Sequence, residues 1–463
     1  MPLPFSSARI LFVSVFCSSL VLEAPSSGAQ DARTDTPLAT EPPAAAPPFA
    51  APARRWWTEH PVAIDEQSWV PGEGLEFVSK DELFSMAIRL RGQFLYQVER
   101  GYDAALAERG DPKQNLMIRR ARIVFAGHMW GDKTQYKVEL AVAPADLGMT
   151  RPDGSDNPPI LSNQDNYVSR SLLLDWYVQF SQIRDLNFRI GQWKVPYSRE
   201  RVISSGDLQF VDRSLSNREF NLDRDIGVEF RSKDLFGLDK QLRYYAGVYN
   251  GDGHSQYELG SFSPMYVARL EYLPLGNFND YGEVNFERSQ QLGLSIGASF
   301  AHVENAAGSQ GILGSRPRDG GTTDYDNLTA DVVAKYRGLS LTTMWFWRKG
   351  ERQPGSAVDE SGVRIPVEPP RNGWGGGAQA GYLLPWLELE FALRYNVLHR
   401  LGAAQESSLR DSNEVACAVS YYFARHALKL QADWSRYWGQ GADRGRTFSN
   451  GEELVRVQLQ AAF

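Results

Sequence analysis

The chain has 463 residues, 42% hydrophobic and 12% aromatic, with a formal net charge of −7. That balance argues against a nucleic-acid binder, which is usually basic. Forty-one glycines and twelve tryptophans are unusual for an α-rich enzyme. The only cysteines, Cys17 and Cys417, cannot build a disulfide framework or a cysteine-based metal site once Cys17 is lost with the leader described next.

At the N-terminus Arg9 precedes the apolar run ILFVSVFCSSLVL and then the small residues SSGAQ. That is the charged, apolar and small-residue order of a secretory signal over 1–29, cleaved near Ala29. The run falls short of the roughly 20 residues a membrane helix needs. A lipoprotein reading of Cys17 fits poorly, because bulky Phe16 precedes it. Residues 30–60 are rich in Ala and Pro without periodicity and read as a disordered spacer, followed by a short periplasmic lead-in over 61–83.

From residue 84 onward the recurring pattern is strict alternation. In FSMAIRLRGQFLYQV the apolar set is Phe84, Met86, Ile88, Leu90, Phe94, Tyr96 and Val98, interleaved with Ser85, Ala87, Arg89, Arg91, Gln93, Leu95 and Gln97. Successive strand side chains point to opposite faces, so the segment has one greasy face and one polar, cationic face. YKVELAV, LLLDWYVQF, DIGVEFR and LELEFALRYNV repeat it, with Leu174 on the apolar parity of the second. About sixteen such segments follow one another to Phe463, each long enough to cross a bilayer when tilted.

The connections alternate in length. Short ones fall at 130–134, 182–185, 337–339, 384–386 and 424–426; long ones fall near 145–170, 194–223, 303–323, 349–372, 398–412 and 438–452. The connection at 274–290 is expected to be short and is not. Short turns on one side and long loops on the other are the outer-membrane barrel pattern, with the long loops outside if both termini are periplasmic. Aromatics on the apolar parity mark both strand ends: Phe84, Tyr136, Phe180, Tyr272, Tyr336, Tyr382, Phe423 and Phe463 at one, Tyr96, Phe300, Trp347, Trp374 and Trp434 at the other. In hydrocarbon no sheet edge is tolerated, so the final strand LVRVQLQAAF must pair with the first. Barrels of 16–18 strands leave an aqueous channel.

The inward parity carries mixed charge, with its cations concentrated in the first three strands. An arc of Arg and Lys in a low-dielectric pore selects anions. In MIRRARIVF, Arg119 and Arg120 can both face inward only across a bulge. After the fifth strand, GQWKVPYSRER breaks at Pro196 and opens a connection of about thirty residues. It carries Lys194, Arg199 and Arg201 against Glu200, Asp207, Asp212, Glu219 and Asp223. Its apolar residues, Val202, Ile203, Leu208, Phe210 and Val211 among them, are too many for a solvated loop. The inner barrel wall is the surface available to them.

The run GQWKVPYSRERVISSGDLQFVDRSL, then RDIGVEF and YYAGVYNGDG, resembles the phosphate-selective porin O and P family, as do IRRARIVFAG, LLLDWYVQF, GAQAGYLL and LKLQADWSRY. The resemblance spans about 84–463, the whole expected barrel. It implies an all-β, sixteen-stranded antiparallel transmembrane β-barrel whose long third loop folds into the lumen. It further implies a homotrimer in the outer membrane of a Gram-negative cell, and passive diffusion of small anions, phosphate or polyphosphate, past a cationic constriction. By position, Arg89, Arg91, Arg120, Arg122 and Lys137 match the cationic wall and Lys194, Arg199 and Arg201 the start of the constriction loop. The amount of acid around that loop departs from the family, and members exist whose substrate is not phosphate. A general or weakly selective porin is therefore an alternative reading.

A barrel enzyme or a closed structural barrel belongs to another class. None of the six histidines sits in a recognisable nucleophile motif; His254 and Ser255 lie in a Gly-rich turn. RPDGSDN reads as a turn rather than a calcium loop, and no other metal or cofactor signature occurs. The expectation is a pore without metal or cofactor, whose partners are the lipid bilayer and small anions, not nucleic acid.

Overall fold

The computed structural model describes residues 62–64, 67–103, 108–146, 171–255, 263–440 and 447–463. The expected signal peptide and Ala/Pro-rich spacer lie outside the described residues. Sixteen strands form one barrel. They are β1 (Ser85–Arg100), β2 (Lys113–His128), β3 (Thr134–Ala141), β4 (Leu173–Phe180), β5 (Asn187–Lys194), β6 (Arg224–Ser232), β7 (Leu242–Tyr249) and β8 (Met265–Tyr272). They continue as β9 (Gly293–Ala306), β10 (Thr322–Tyr336), β11 (Leu339–Gln353), β12 (Gly373–Leu383), β13 (Leu389–Arg400), β14 (Ser412–Ala424), β15 (Leu428–Gly439) and β16 (Glu452–Ala462).

Each strand pairs antiparallel with its neighbours in sequence, and β16 returns to β1, with Glu453 opposite Arg100 and Ala462 opposite Arg91. The barrel is closed, so every strand has a ladder on both sides, as hydrocarbon demands. The seam ends on the last residue. Phe463 donates its N–H to Leu90 O at 2.9 Å and accepts from Leu90 N at 2.6 Å. Beyond that point the edge of β1 is covered by the last of three short lead-in strands, Gly74–Val78, with Leu75 opposite Ile88 and Val78 opposite Ser85.

The alternation read from the sequence sets which face is which. Phe94, Tyr96, Ile226, Phe230, Phe391 and Leu393 are exposed on the outside, while Gln93, Gln97, Asp225, Glu229, Glu390 and Arg394 are buried inside. Of the expected girdle residues, Phe84, Phe180, Tyr272, Tyr336, Tyr382, Phe423, Phe463, Tyr96 and Phe300 are exposed, and Tyr136, Trp347, Trp374 and Trp434 are half-buried. Tight turns close the short end. Arg337 and Gly338, at φ 46° and 89°, make a two-residue turn of the twist that suits a hairpin.

Of four register irregularities in the described barrel ladders, two decide which side chains face inward near the cationic wall. Gln93 lies opposite Arg120 and Phe94 opposite Ile118, so Arg119 is the extra residue on β2. Both Arg119 and Arg120 are consequently buried. A second irregularity lies where Glu139 faces Asp175 but Leu140 faces Leu173. It turns Leu174 inward to 6% exposure, against its place on the apolar parity.

The inner wall has two tiers. Near the short-turn end it is charged, with Arg269, Glu271, Asp331, Lys335 and Glu390 buried. Toward the long loops, Met265, Val267, Ala301, Val303, Tyr325, Phe346, Leu398 and Leu454 form an apolar patch on that same face. Tyr197, Leu215, Phe220 and Leu222 of the connection between β5 and β6 pack on it, together with Ile312 and Leu313 of the connection between β9 and β10. This explains the apolar content of residues 195–223: they bury their side chains against the barrel from within.

Leu393 sits mid-strand on the outer face of β13 at 66% exposure. Placing Arg there costs about 2–4 kcal/mol at the bilayer midplane. The urea midpoint of Leu393→Arg refolded into lipid vesicles is therefore expected to fall, and an unchanged midpoint would contradict this orientation.

Candidate functional site

Inward alternation on adjacent strands stacks cations into an arc. β1 supplies Arg89 and Arg91, β2 Arg122, β3 Lys137, and β5 Arg189 and Lys194. All six line one cavity of about 1320 Å³ toward the short-turn end.

Two kinds of cation share this wall. Arg122 donates to Glu139 at 2.8 Å and to Asp146 at 3.0 Å. Lys137 donates to Glu139 at 2.7 Å and to Asp175 at 2.6 Å, and Arg224 of β6 donates to Asp175 at 2.6 Å. Here three cations meet three carboxylates and the charges cancel.

The other four are held by neutral groups. Arg89 Nε donates to the carbonyl of Glu73 at 2.7 Å. Arg91 donates to the hydroxyls of Ser204 at 2.7 Å and Ser205 at 3.2 Å. Its side chain lies so close to Gly206 that a Cβ there would sit 2.4 Å from Nη1. Arg189 donates from Nε and Nη2 to Gln179 Oε1 at 3.1 and 2.6 Å, with its Cζ 4.0 Å from the centre of the Tyr177 ring. Lys194 Nζ donates to the carbonyls of Ile203 at 3.1 Å and Val202 at 3.4 Å. Neutral acceptors orient a cation without cancelling its charge. Among the described residues these four have no ion-pair partner, and the field they project into the cavity is opposed only at longer range, by lining carboxylates such as Glu73, Asp207, Glu287 and Glu388.

Segment 195–223 forms the cavity's far wall with Val202, Ser204, Gly206 and Asp207. β5 stops at Lys194 because Pro196 has no N–H for the ladder; Val195 still donates to Asp223 O at 2.8 Å. Two short helices follow, α1 (Arg199–Val202) capped by Ser198 and α2 (Leu215–Phe220) capped by Ser214. The segment is riveted to the wall by buried ion pairs. Arg199, fully buried, bonds Asp331 of β10 and lies 2.5 Å from Asp280 and 3.6 Å from Glu271. Arg201 pairs with Asp223. Asp212 accepts from Arg119 and Arg120 at 3.0 Å each, and Arg456 stands 4.0 Å away. Burial pushes the Asp212 carboxyl up, but Arg119 and Arg120 outweigh it and hold it well below the usual carboxylate range.

The long connection that broke the loop pattern, 273–292, also turns inward. Asp280 accepts from Arg243 at 3.0 Å as well as from Arg199. Glu283 accepts from Gln209 N at 2.7 Å and from Gln379 at 2.9 Å. Lys335 Nζ donates to the carbonyls of Asn279, Gly282 and Val284 at 2.8, 2.5 and 3.0 Å. This turn therefore clasps segment 195–223 from the short-turn end, and its residues Asn279, Tyr281, Val284 and Phe286 line the cavity.

Of the residues singled out in the sequence, Arg89, Arg91, Arg122, Lys137 and Lys194 reach the cavity wall. Arg120, Arg199 and Arg201 lie instead in the buried pairs that dock the segment. Sequence reasoning missed Arg189, although its alternation with Ile190 on β5 carries the signal. It also missed Asp212 as an anchor, for which no local signal exists.

A family model described as phosphate-selective porin O and P matches residues 88–357. The chain belongs to this family. The porin's fold is shared by solved structures of low identity. OmpF of Salmonella typhi, in complex with daunomycin, is 12% identical, with a TM-score of 0.50 over 83% of this chain and 99% of that one. An anion-selective porin from Comamonas acidovorans (12% identity, 82% and 100% covered, TM-score 0.49) and the DcaP channel of Acinetobacter baumannii (12%, 84% and 99%, 0.49) are also similar. No curated protein matches the chain. Family and fold make this an outer-membrane porin and point to a channel rather than an enzyme.

Asp212→Asn removes the charge that Arg119 and Arg120 share, and breaking a buried pair on one side costs about 3–5 kcal/mol. The expected result is a loosened segment, read as noisier and larger single-channel currents; wild-type-like currents would show that Asp212 does not anchor it. Because the folded carboxyl titrates below its ordinary range, the anchor is fully present above that range and is lost only as pH falls through it. Currents of the wild type are expected to hold steady from pH 8 to about 5.

Proposed function

We propose that this porin passes small anions by passive diffusion, phosphate and polyphosphate among them, past the cationic wall of β1–β5. One observation carries the reading: Arg89, Arg91, Arg189 and Lys194 face the cavity on neutral acceptors alone. Fixed cations in a water-filled, low-dielectric lumen raise the local concentration of anions and exclude cations. The net charge of the whole chain does not matter at this range, since exposed charges beyond about 8–10 Å are screened at physiological salt. On this reading the chain is exported by its leader, sits in the outer membrane of a Gram-negative cell with its long loops outside, and assembles as a homotrimer.

Weakly selective passage is the second reading, favoured by the neutralised half of the arc at Glu139, Asp146 and Asp175. Reversal potentials in planar bilayers under a KCl gradient separate the two. A potential close to the chloride equilibrium value is expected, and one near zero or of potassium sign would overturn anion selectivity. Arg91→Ala and Lys194→Ala should each move the potential toward zero, because neither side chain is bonded to a carboxylate. Lys137→Ala should move it less, since Lys137 already shares two carboxylates.

A further inference from the structure

The cavity that receives the four unpaired cations is aromatic on its other side, and bare anion passage makes no use of that. Tyr281 and Phe286 come from the inward turn 273–292, Tyr422 from β14, and His426 from the turn after it together with Arg425, whose Cζ lies 5.6 Å from the Phe286 ring centre, whereas the four cations on neutral acceptors come from β1–β5. The Phe286 ring centre lies 4.9 Å from that of Tyr422 and 5.0 Å from that of His426, at interplanar angles of 84° and 81°. Phe286 itself is only half-buried. The rings are not free to swing away. The turn that carries Phe286 is pinned by the three carbonyls on Lys335 and by the Gln209 and Gln379 contacts of Glu283.

A bare phosphate in this space finds most of its cations on the β1–β5 side and Arg425 beside the Phe286 ring. Where it meets the rings themselves it gives up water to aromatic carbon that returns no hydrogen bond. An anion that carries an apolar body suits both sides at once. Its head takes the place of water on the guanidinium and ammonium groups, and its body covers the part of the Phe286 and Tyr281 rings left exposed.

We propose that this cavity binds organic anions, a phosphate or carboxylate head joined to an aromatic or other apolar body, more tightly than inorganic anions with the same head. The inference rests on the anion-conducting reading and names its preferred substrate class. Tyr281 and Phe286, delivered by a turn that most strands of this barrel lack, set that preference, while the cations set the sign of charge.

The test uses the full-length porin in planar bilayers and measures block of its chloride current by phenyl phosphate and by inorganic phosphate. Phenyl phosphate is expected to half-block at a concentration about tenfold lower, the factor that a modest apolar contact supplies. In Phe286→Ala the ratio of the two half-blocking concentrations should fall toward one. Phe286→Leu, which keeps an apolar side chain, should give an intermediate ratio and decides the matter if the alanine variant does not assemble. Arg91→Ala should raise both half-blocking concentrations and leave their ratio standing. Equal block by the two compounds in an otherwise anion-selective wild type overturns this inference and leaves the proposed function intact, as does an unchanged ratio in the Phe286 variants. A reversal potential without anion preference overturns the proposed function itself.

Discussion

No backbone N–H or C=O can go unpaired in hydrocarbon, and the rest of this structure follows from that constraint. Among the described residues no helix is long and apolar enough to cross, so the constraint falls on strands, forces them to close on themselves, and so creates an inside. Once an inside exists, the period of two delivers every second side chain to it. The pore wall is not assembled from a motif; it is what remains when Phe94, Phe230 and Leu393 are spent on the lipid.

The barrel then divides its cations into two services. Arg119, Arg120, Arg199, Arg394 and Arg456 are matched by carboxylates and fasten segment 195–223 and the wall to each other. Arg89, Arg91, Arg189 and Lys194 are met only by carbonyls, hydroxyls and an amide. The difference lies in the acceptor and not in the cation, and it separates a rivet from a field source. It also accounts for the abundant acid near the constriction. Asp212, Asp223, Asp280 and Asp331 are consumed in fastening, and none of them pairs with Arg89, Arg91, Arg189 or Lys194.

Much of this was legible in the sequence because a strand's periodicity is local. The alternation in DIGVEFR and LELEFALRYNV placed inside and outside directly, and Arg119 beside Arg120 demanded the bulge that the register contains. What was not legible depends on contacts distant in sequence. Whether Arg199 faces water or a carboxylate is decided by Asp331, 132 residues away. Leu174 departs from its parity because of a register shift against β3 that nothing in LLLDWYVQF announces. The apolar tier of Met265, Val267 and Phe346 looks like ordinary core in one dimension, and only the fold shows that it is a berth for residues 195–223. The unexpected length of 274–290 was visible; its inward turn was not, because it depends on Gln379 of β12 meeting Glu283 and on Lys335 of β10 meeting the turn's carbonyls.

The seam has a consequence for how the molecule comes into being. Leu90 and Phe463 exchange both backbone hydrogen bonds across nearly the full length of the chain. The cylinder thus stays open until β16 reaches β1, and a contact of very long sequence separation removes the last open edge. Until then β1 waits with one flank exposed, and the lead-in strand Gly74–Val78 shelters part of that flank. The short stretch ahead of the barrel thereby lengthens the seam, pairing with Ser85–Ile88 of β1 where β16, which pairs with Arg91–Arg100, does not reach.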